Sequence, residues 1–476
     1  MAEWPAPRGS SSGDLGRDAA TVLTRGLAPG RVIGRFPWDP FPAGTPDPKG
    51  PDPLQALVYR SAVTGADAYR SVRLALRVEG DVLRIGNRFV ARGRYREVAF
   101  IAAGNAANSM ALATLAVLDE RVTQGFLAGP EPVPSEIPFK GVLLPPGWGG
   151  APEADVVRTA VREIAGGLRE SDLLILLLSP GAVRALGSPP PGLTAPEFSA
   201  FLEGAHANGA TGREVEQVAR VLGRSEGDEG ILPRTLTADV ETLVVDRGDG
   251  AALVGGGPTV PVRSDQRAEA RAALDRVGQL DALSEAARDR LRPGADDAPG
   301  LAATVRRPVV VAGPPDALRA AADVTFDKGW TARLAALEIR DRAELAADRF
   351  LEAVEGIVRT ERADVGPRSK GVAALATITL DLPEGTDEGP ELIRFLERAR
   401  TGLRRREMSV GLVRTAGAIG APEFPPGGVV GAVGDASFGV SATLLRPLDM
   451  RRGITDVGLV AAAVLPEAAP SAEADR

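Results

Sequence analysis

Residues 97 to 111 read EVAFIAAGNAANSMA, and this stretch decides the fold. Val98 to Ile101 form a short apolar run with a β-branched residue at each end. Ala103-Gly104-Asn105 is a turn of small residues, and Ala106 onward is rich in helix formers. The unit reads as strand, tight loop, helix. Such a loop leaves N–H groups of the helix's first turn open, with the positive end of the helix dipole behind them, which suits an anion. The same pattern also serves a plain βα turn inside a parallel sheet. The loop holds no cation, since Arg94 and Arg96 lie beyond the far end of the strand.

Outward from this unit, the composition narrows the function. The chain has 476 residues, enough for two or three domains with a large core, and 44% of them are hydrophobic. A net charge of −7 argues against a nucleic-acid partner and offers no basic patch to a membrane. With no cysteine, disulfides and thiolate chemistry are excluded, and a single histidine, His206, makes a zinc site or a Ser-His-Asp triad hard to assemble. His206 precedes a Gly-rich turn and reads as a solvated or capping residue. No apolar run approaches about 18 residues and no signal pattern opens the chain, so the expectation is a cytoplasmic protein.

Residues 1–52, rich in Pro, Gly and Ser, read as a flexible lead. A helix is expected from Pro53 to about Val78, then a hairpin of two short strands in LRVEGDVLRIGNRFV. Beyond the central unit the chain alternates. FKGVLLPP is a buried strand, EADVVRTAVREIAGGL an amphipathic helix, DLLILLLS (Asp172–Ser179) an apolar strand, and Thr242 to Asp246 another. Alternation of apolar strands with helices is the signature of a parallel sheet covered on both faces, an α/β fold of Rossmann-like type. Ligands in such sheets bind at the strands' carboxyl ends, which points to Gly104-Asn105, to Ser179-Pro180-Gly181 and to the segment after Asp246. That segment includes Gly255-Gly256-Gly257-Pro258-Thr259, which could lay N–H groups against an anion or be a plain turn. Helices are expected at Gln266–Val277 and Leu283–Leu291, then the strand Pro308–Gly313 and the helix ALRAAADV. The Pro/Gly/Asp-rich residues 292–300 mark a domain boundary. In the last third the pattern predicts a long helix from Ala332 to about Arg359 and the strand GVAALATITLDL. A helix ELIRFLERART, the strand MSVGLVRTAG, a loop IGAPEFPPGGVVG, a helix or turn near Asp435–Leu445, a strand DVGLVAAAVL and a disordered tail at 466–476 complete it.

Several of these strings, in this order, resemble the glycerate 2-kinases of the MOFRL type: LRVEGDVLRIGNRF, REVAFIAAGNAANSMA, PEADVVRTA, DLLILLLS, PPPGLT, VGGGPTVP, VVVAGPPDALRAAA and DASFG. The resemblance covers roughly residues 54 to 464. It implies a large α/β domain (53–300) and a C-terminal unit (301–465, the MOFRL-like part about 370–465) enclosing a cleft. In that cleft the family uses ATP and Mg²⁺ to phosphorylate glycerate.

The same resemblance exposes a consistent loss. The family's first loop reads like GAGKA, and Asn105 stands where its lysine belongs. Its SGGGSALL-like loop is replaced by Ser179, Pro180, Gly181, Ala182, Val183 and Arg184, and Pro180 removes a backbone donor. Arg220 and Glu226 take the places of two lysines, and Glu388 that of an arginine. Asp246 would have to substitute for an aspartate beside Gly248 and Asp249. Ala416 and Ile419 occupy aspartate positions. The closing loop keeps Asp456, has Thr455 at an asparagine position, and carries Arg451 and Arg452 in place of a Gly-Thr pair. Candidate ligand-binding residues are therefore Gly104, Asn105, Ser179, Gly181, Arg220, Asp246, Asp249, Gly257, Thr259, Thr455 and Asp456. Losing one positioned cation typically costs roughly 10²- to 10³-fold in phosphoryl transfer. Scaffold without site predicts a pseudoenzyme, a binding or scaffold subunit that pairs with an active paralogue or with itself. The alternative is a kinase for glycerate or a related small hydroxy acid in which Arg184, Arg220, Arg451 and Arg452 replace the missing cations. A third reading is a structural α/β protein with no small-molecule site.

Overall fold

A computed structural model describes residues 64–144, 153–223, 236–246, 250–254, 259–293, 304–361, 371–380, 388–403, 409–414, 428–432, 441–444 and 459–466, with Val58, Ser61, Ala62, Leu232 and Gly248. The lead at 1–52, the 292–300 boundary beyond Pro293, and the tail after Pro466 lie outside the described residues. By contact density the chain forms two compact units. The first contains Ala75–Val244 and Ala251–Val309, and the second contains Val245–Gly250 and the chain from Val310 onward.

One sheet has six strands, β4 (Val98–Ala103), β5 (Val122–Gly129), β6 (Lys140–Leu143), β7 (Leu173–Leu178), β8 (Asp239–Val245) and β9 (Val309–Ala312), in the order β6-β5-β4-β7-β8-β9, and the first unit is built on the first five of them. The pairs β4–β5, β4–β7, β5–β6 and β7–β8 are all parallel. Every residue of β4, β7 and β8 is buried, as expected for strands with helices on both faces. The helix α2 (Ala107–Leu118) is buried almost all round, and α3 (Glu153–Gly167) lays Val157, Val161 and Ile164 against Ile101, Leu174, Leu176 and Leu178. Three further helices, α5 (Ala195–Ala207), α6 (Gly212–Leu222) and α8 (Ser264–Arg276), share a second core. Thr194 with Glu197 and Thr211 with Glu214 form capping boxes that start α5 and α6.

Several expectations are corrected over residues 68–245. The helix continues only through α1 (Ala68–Ala75), and Leu76 to Val78 are strand. The hairpin is a three-stranded meander, β1 (Leu76–Glu79), β2 (Val82–Ile85) and β3 (Arg88–Ala91), because each of its two turns reverses the chain. β5 was not anticipated. Its VTQGFLAG sequence hides a buried strand behind Gly125, where a Cβ would come within 2.7 Å of Phe100, itself packed edge-on against Phe139. β6 is a half-buried edge strand and not a core strand, and β8 starts at Asp239 and not at Thr242. His206 is buried rather than solvated, and its Nδ1 meets the Ala210 carbonyl at 2.6 Å.

In the second unit, α10 (Pro314–Asp327) leads into β10 (Thr331–Asp341). There follow α11 (Ala343–Glu361), β11 (Gly371–Leu380), α12 (Glu388–Leu403), β12 (Ser409–Arg414), β13 (Gly428–Ala432), β14 (Ser441–Leu444) and β15 (Leu459–Pro466). The sheet order is β10-β11-β15-β12-β13-β14, parallel only between β10 and β11. Phe350 of α11 and Phe395 of α12 pack 6.1 Å apart over this sheet. The long helix expected from Ala332 begins at Ala343. Residues 331–341 are strand because pairing to β11 overrides the helix propensity of their Ala and Leu. Residues 428–431, read as loop, and 441–444, read as helix or turn, are also strand.

Candidate functional site

The loop between β4 and α2 does not stand alone at the carboxyl end of the sheet. Gly104 adopts a left-handed φ of 101°, and a Cβ there would lie 2.4 Å from the Ser179 carbonyl and 2.5 Å from Ser179 Oγ. The two loops are pressed backbone to backbone, so only glycine fits. Four successive amides are bonded here, two of them across this contact. Gly104 N–H donates to Ala128 O at 2.9 Å, Asn105 N–H to Pro180 O at 2.9 Å, Ala106 N–H to Ser179 Oγ at 2.9 Å, and Ala107 N–H to Gly104 O at 3.2 Å. Ser179 is fully buried and gives its own proton to Ala103 O at 3.1 Å. It thus ties the residue just ahead of α2 to the loop after β7. These amides do not fit a nucleotide phosphate, since none of the four is open to it.

Beside this contact Gly181, at φ 90°, leaves a side-chain-free position between two polar groups. A Cβ there would lie 3.5 Å from Asn105 Oδ1 and 3.7 Å from Arg184 Nη2. Gly181 opens the short helix α4 (Ala182–Leu186), which carries Arg184. Asn105, Gly181 and Arg184 are all partly exposed, so the position is reachable from solvent. What the arrangement offers is chemically specific. The guanidinium is a planar fork of donors that matches a carboxylate, and the carboxamide both donates and accepts.

Other candidates are placed elsewhere. Arg220 of α6 is buried, and its Nη2 donates to Val260 O at 2.9 Å and Pro261 O at 3.0 Å. It fixes the segment that follows the buried Thr259. Asp246 belongs to the second unit, where its carboxylate accepts from Gly248 N–H at 3.1 Å and Gly250 N–H at 3.0 Å. Glu338 of β10, which sequence reasoning missed inside its supposed helix, faces Gly248 and is held by Arg340 at 2.8 Å and Thr379 at 3.0 Å. Glu388 opens α12. Asp249, Gly257, Thr455 and Asp456 lie outside the described residues. The structure therefore brings together Gly104, Asn105, Ser179 and Gly181, with Arg184 added. Among the described residues no group of three or more His, Cys, Asp or Glu side chains is arranged to hold a metal, and no helix is long and apolar enough to cross a membrane.

The amino ends of the same strands carry a charge network that the sequence did not reveal. Asp239 Oδ2 accepts from Tyr95 Oη at 2.8 Å, Arg94 at 3.1 Å and Arg88 at 3.2 Å, while Arg88 also bonds Glu241 and Arg96 meets Asp172 at 3.4 Å. Burial alone would raise the Asp239 pKa, but the Tyr95 hydroxyl and the Arg88 guanidinium hold it below the ordinary aspartate value. For Glu241 burial prevails over Arg88 and the pKa is raised.

Adjacent loops meet at the carboxyl ends of the central strands of an open α/β sheet, the place where ligands bind in folds of this kind. Residues 55–292 match the family model described as "Domain of unknown function (DUF4147)". The chain belongs to that family, and with it to the glycerate 2-kinase family that its sequence resembles. The glycerate kinase of Danio rerio is 27% identical over 252 residues, 49% of either chain, and that of Bos taurus is 30% identical over 173 residues, 33% of either chain. The match thus spans about half the length of the first relative or less. The crystal structure of a glycerate kinase from Thermotoga maritima superposes with a TM-score of 0.60 at 17% identity, covering 87% of this chain and 98% of that one. The PH0495 protein of Pyrococcus horikoshii gives 0.62 at 18% identity over the same shares, and both likenesses establish the fold.

Proposed function

We propose that this protein is a catalytically degenerate relative of the glycerate kinases, a binding subunit that retains a grip for a small hydroxy acid but does not transfer phosphate to it. The observation that carries this reading is that Asn105 and Arg184 both face the side-chain-free position at Gly181, beside a loop whose four amides are already bonded within the protein. Arg184 suits a carboxylate bidentately, and the Asn105 carboxamide suits the hydroxyl next to it. Phosphoryl transfer needs fixed cations and donors aimed at the moving phosphoryl group. At the position where the family resemblance places a lysine, this chain has a neutral amide.

The reading is tested by calorimetric titration with D-glycerate, and separately with ATP·Mg²⁺, on a sample then assayed for turnover. Saturable heat with D-glycerate that disappears in Arg184→Leu, with no glycerate-dependent ADP release, is the expected result. Turnover that is lost in Arg184→Leu would replace the proposal with a kinase whose site is remodelled around that arginine. No heat with D-glycerate would overturn the grip itself.

A further inference from the structure

The β1–β3 meander has two different faces. Leu76, Leu83, Ile85 and Val90 are buried on the inner one, where Arg88 also reaches Asp239 and Glu241 and anchors the sheet. The outer face carries Arg77, Glu79, Val82, Arg84, Phe89 and Ala91, as the alternation of a strand requires. In the pairing register Arg77 stands directly opposite Arg84, and Arg84 opposite Phe89. Like charges placed opposite each other destabilise a sheet. Among the described residues no acidic side chain forms an ion pair with either arginine. Arg84 donates to Gly86 O at 2.9 Å and lies 5.7 Å from the Phe89 ring centroid. Phe89 is 64% exposed and Val82, diagonal to it, 38%. Two guanidinium groups and two apolar side chains thus share a face with no counter-ion paired to it.

We propose that this face docks an acidic, apolar peptide segment of a partner protein, with a carboxylate held between Arg77 and Arg84 and an apolar side chain laid on Phe89 and Val82. The charge arrangement selects among occupants. A second copy stacked face to face would set arginine against arginine. A nucleic-acid backbone would run past Glu79 and Asp81 at the end of the face, and the chain's net charge of −7 opposes it further. A single carboxylate flanked by apolar residues needs only the arginine pair, and four-residue strands span about 13 Å, the length of a short extended segment. A carboxylate on the arginine pair gains charge-assisted hydrogen bonds, and an apolar side chain over Phe89 shields the Arg84–Phe89 cation–π contact from water.

The test is fluorescence anisotropy of the full chain with a fluorescein-labelled pentapeptide Leu-Asp-Phe-Glu-Leu, against its Asn/Gln twin and an oligothymidine of eight nucleotides. The proposal expects saturable binding of the acidic peptide only, weakened at least tenfold in the double variant Arg77→Gln/Arg84→Gln. Phe89→Thr, at a position exposed enough to leave folding intact, should weaken it several-fold. Equal binding by wild type and variants, no saturable binding of the acidic peptide, or tighter binding of the oligonucleotide would each overturn it.

Discussion

At the amino ends of β4, β7 and β8, arginines 88, 94 and 96 are held by Asp172, Asp239 and Glu241, whereas at the carboxyl ends of β4 and β7 two loops are joined by amides and one serine hydroxyl. The first region fixes the meander to the sheet with charge. The second closes on itself with neutral groups, with the Arg184 guanidinium and the Asn105 carboxamide on either side of Gly181. Ligands of open α/β sheets bind at the carboxyl ends, which is why the proposed grip belongs to the quieter region and the denser charge network is read as scaffold.

The comparison can be broken by substitution, and the largest effect is expected where the two loops touch. Gly104→Val would drive a side chain into Ser179 and force a left-handed backbone on a β-branched residue, costing at least ~3 kcal/mol in urea unfolding. At the other end, Asp239→Asn would leave Arg88, Arg94 and Tyr95 around a neutral group and cost about 2 to 3 kcal/mol at neutral pH. Because the folded Asp239 pKa is depressed, its contribution is complete above the ordinary aspartate range and is lost as pH falls through the folded value. The gap between wild type and Asp239→Asn should therefore close in acid, as followed by unfolding at a series of pH values.

Smaller effects sharpen the functional half of the contrast. Arg184→Leu is expected to weaken D-glycerate binding by roughly tenfold to a hundredfold, the worth of one charge-assisted hydrogen-bonded pair, in a calorimetric titration. The smallest effect is expected from Asn105→Lys. One restored cation does not reopen four occupied amides, so glycerate-dependent ADP release should stay at background in a coupled assay.

How much of this was legible depended on whether the information was local. The central strands could be read because VAFIAA and LLILLL are apolar throughout, and the family strings made the α/β order plain. β10 could not, since TARLAALEIRD favours a helix in isolation and becomes strand only through its pairing with β11. Gly104, Asn105, Ser179 and Gly181 were found from their place after strands. That Ser179 Oγ would bond the Ala106 amide just ahead of α2 is a contact between residues 73 positions apart. Arg220 was read as a possible phosphate ligand, but its burial against Val260 and Pro261 appears only once α6 is packed. The Asp239 network was missed for the same reason, its partners being 144 or more positions away.

The most direct measurement is a radiometric assay in which the protein, D-glycerate and γ-labelled ATP·Mg²⁺ are incubated together and the organic phosphate product is separated. The account predicts no labelled phosphoglycerate above the protein-free control, on a sample whose D-glycerate binding has been verified. Labelled product that accumulates in proportion to protein concentration would contradict it.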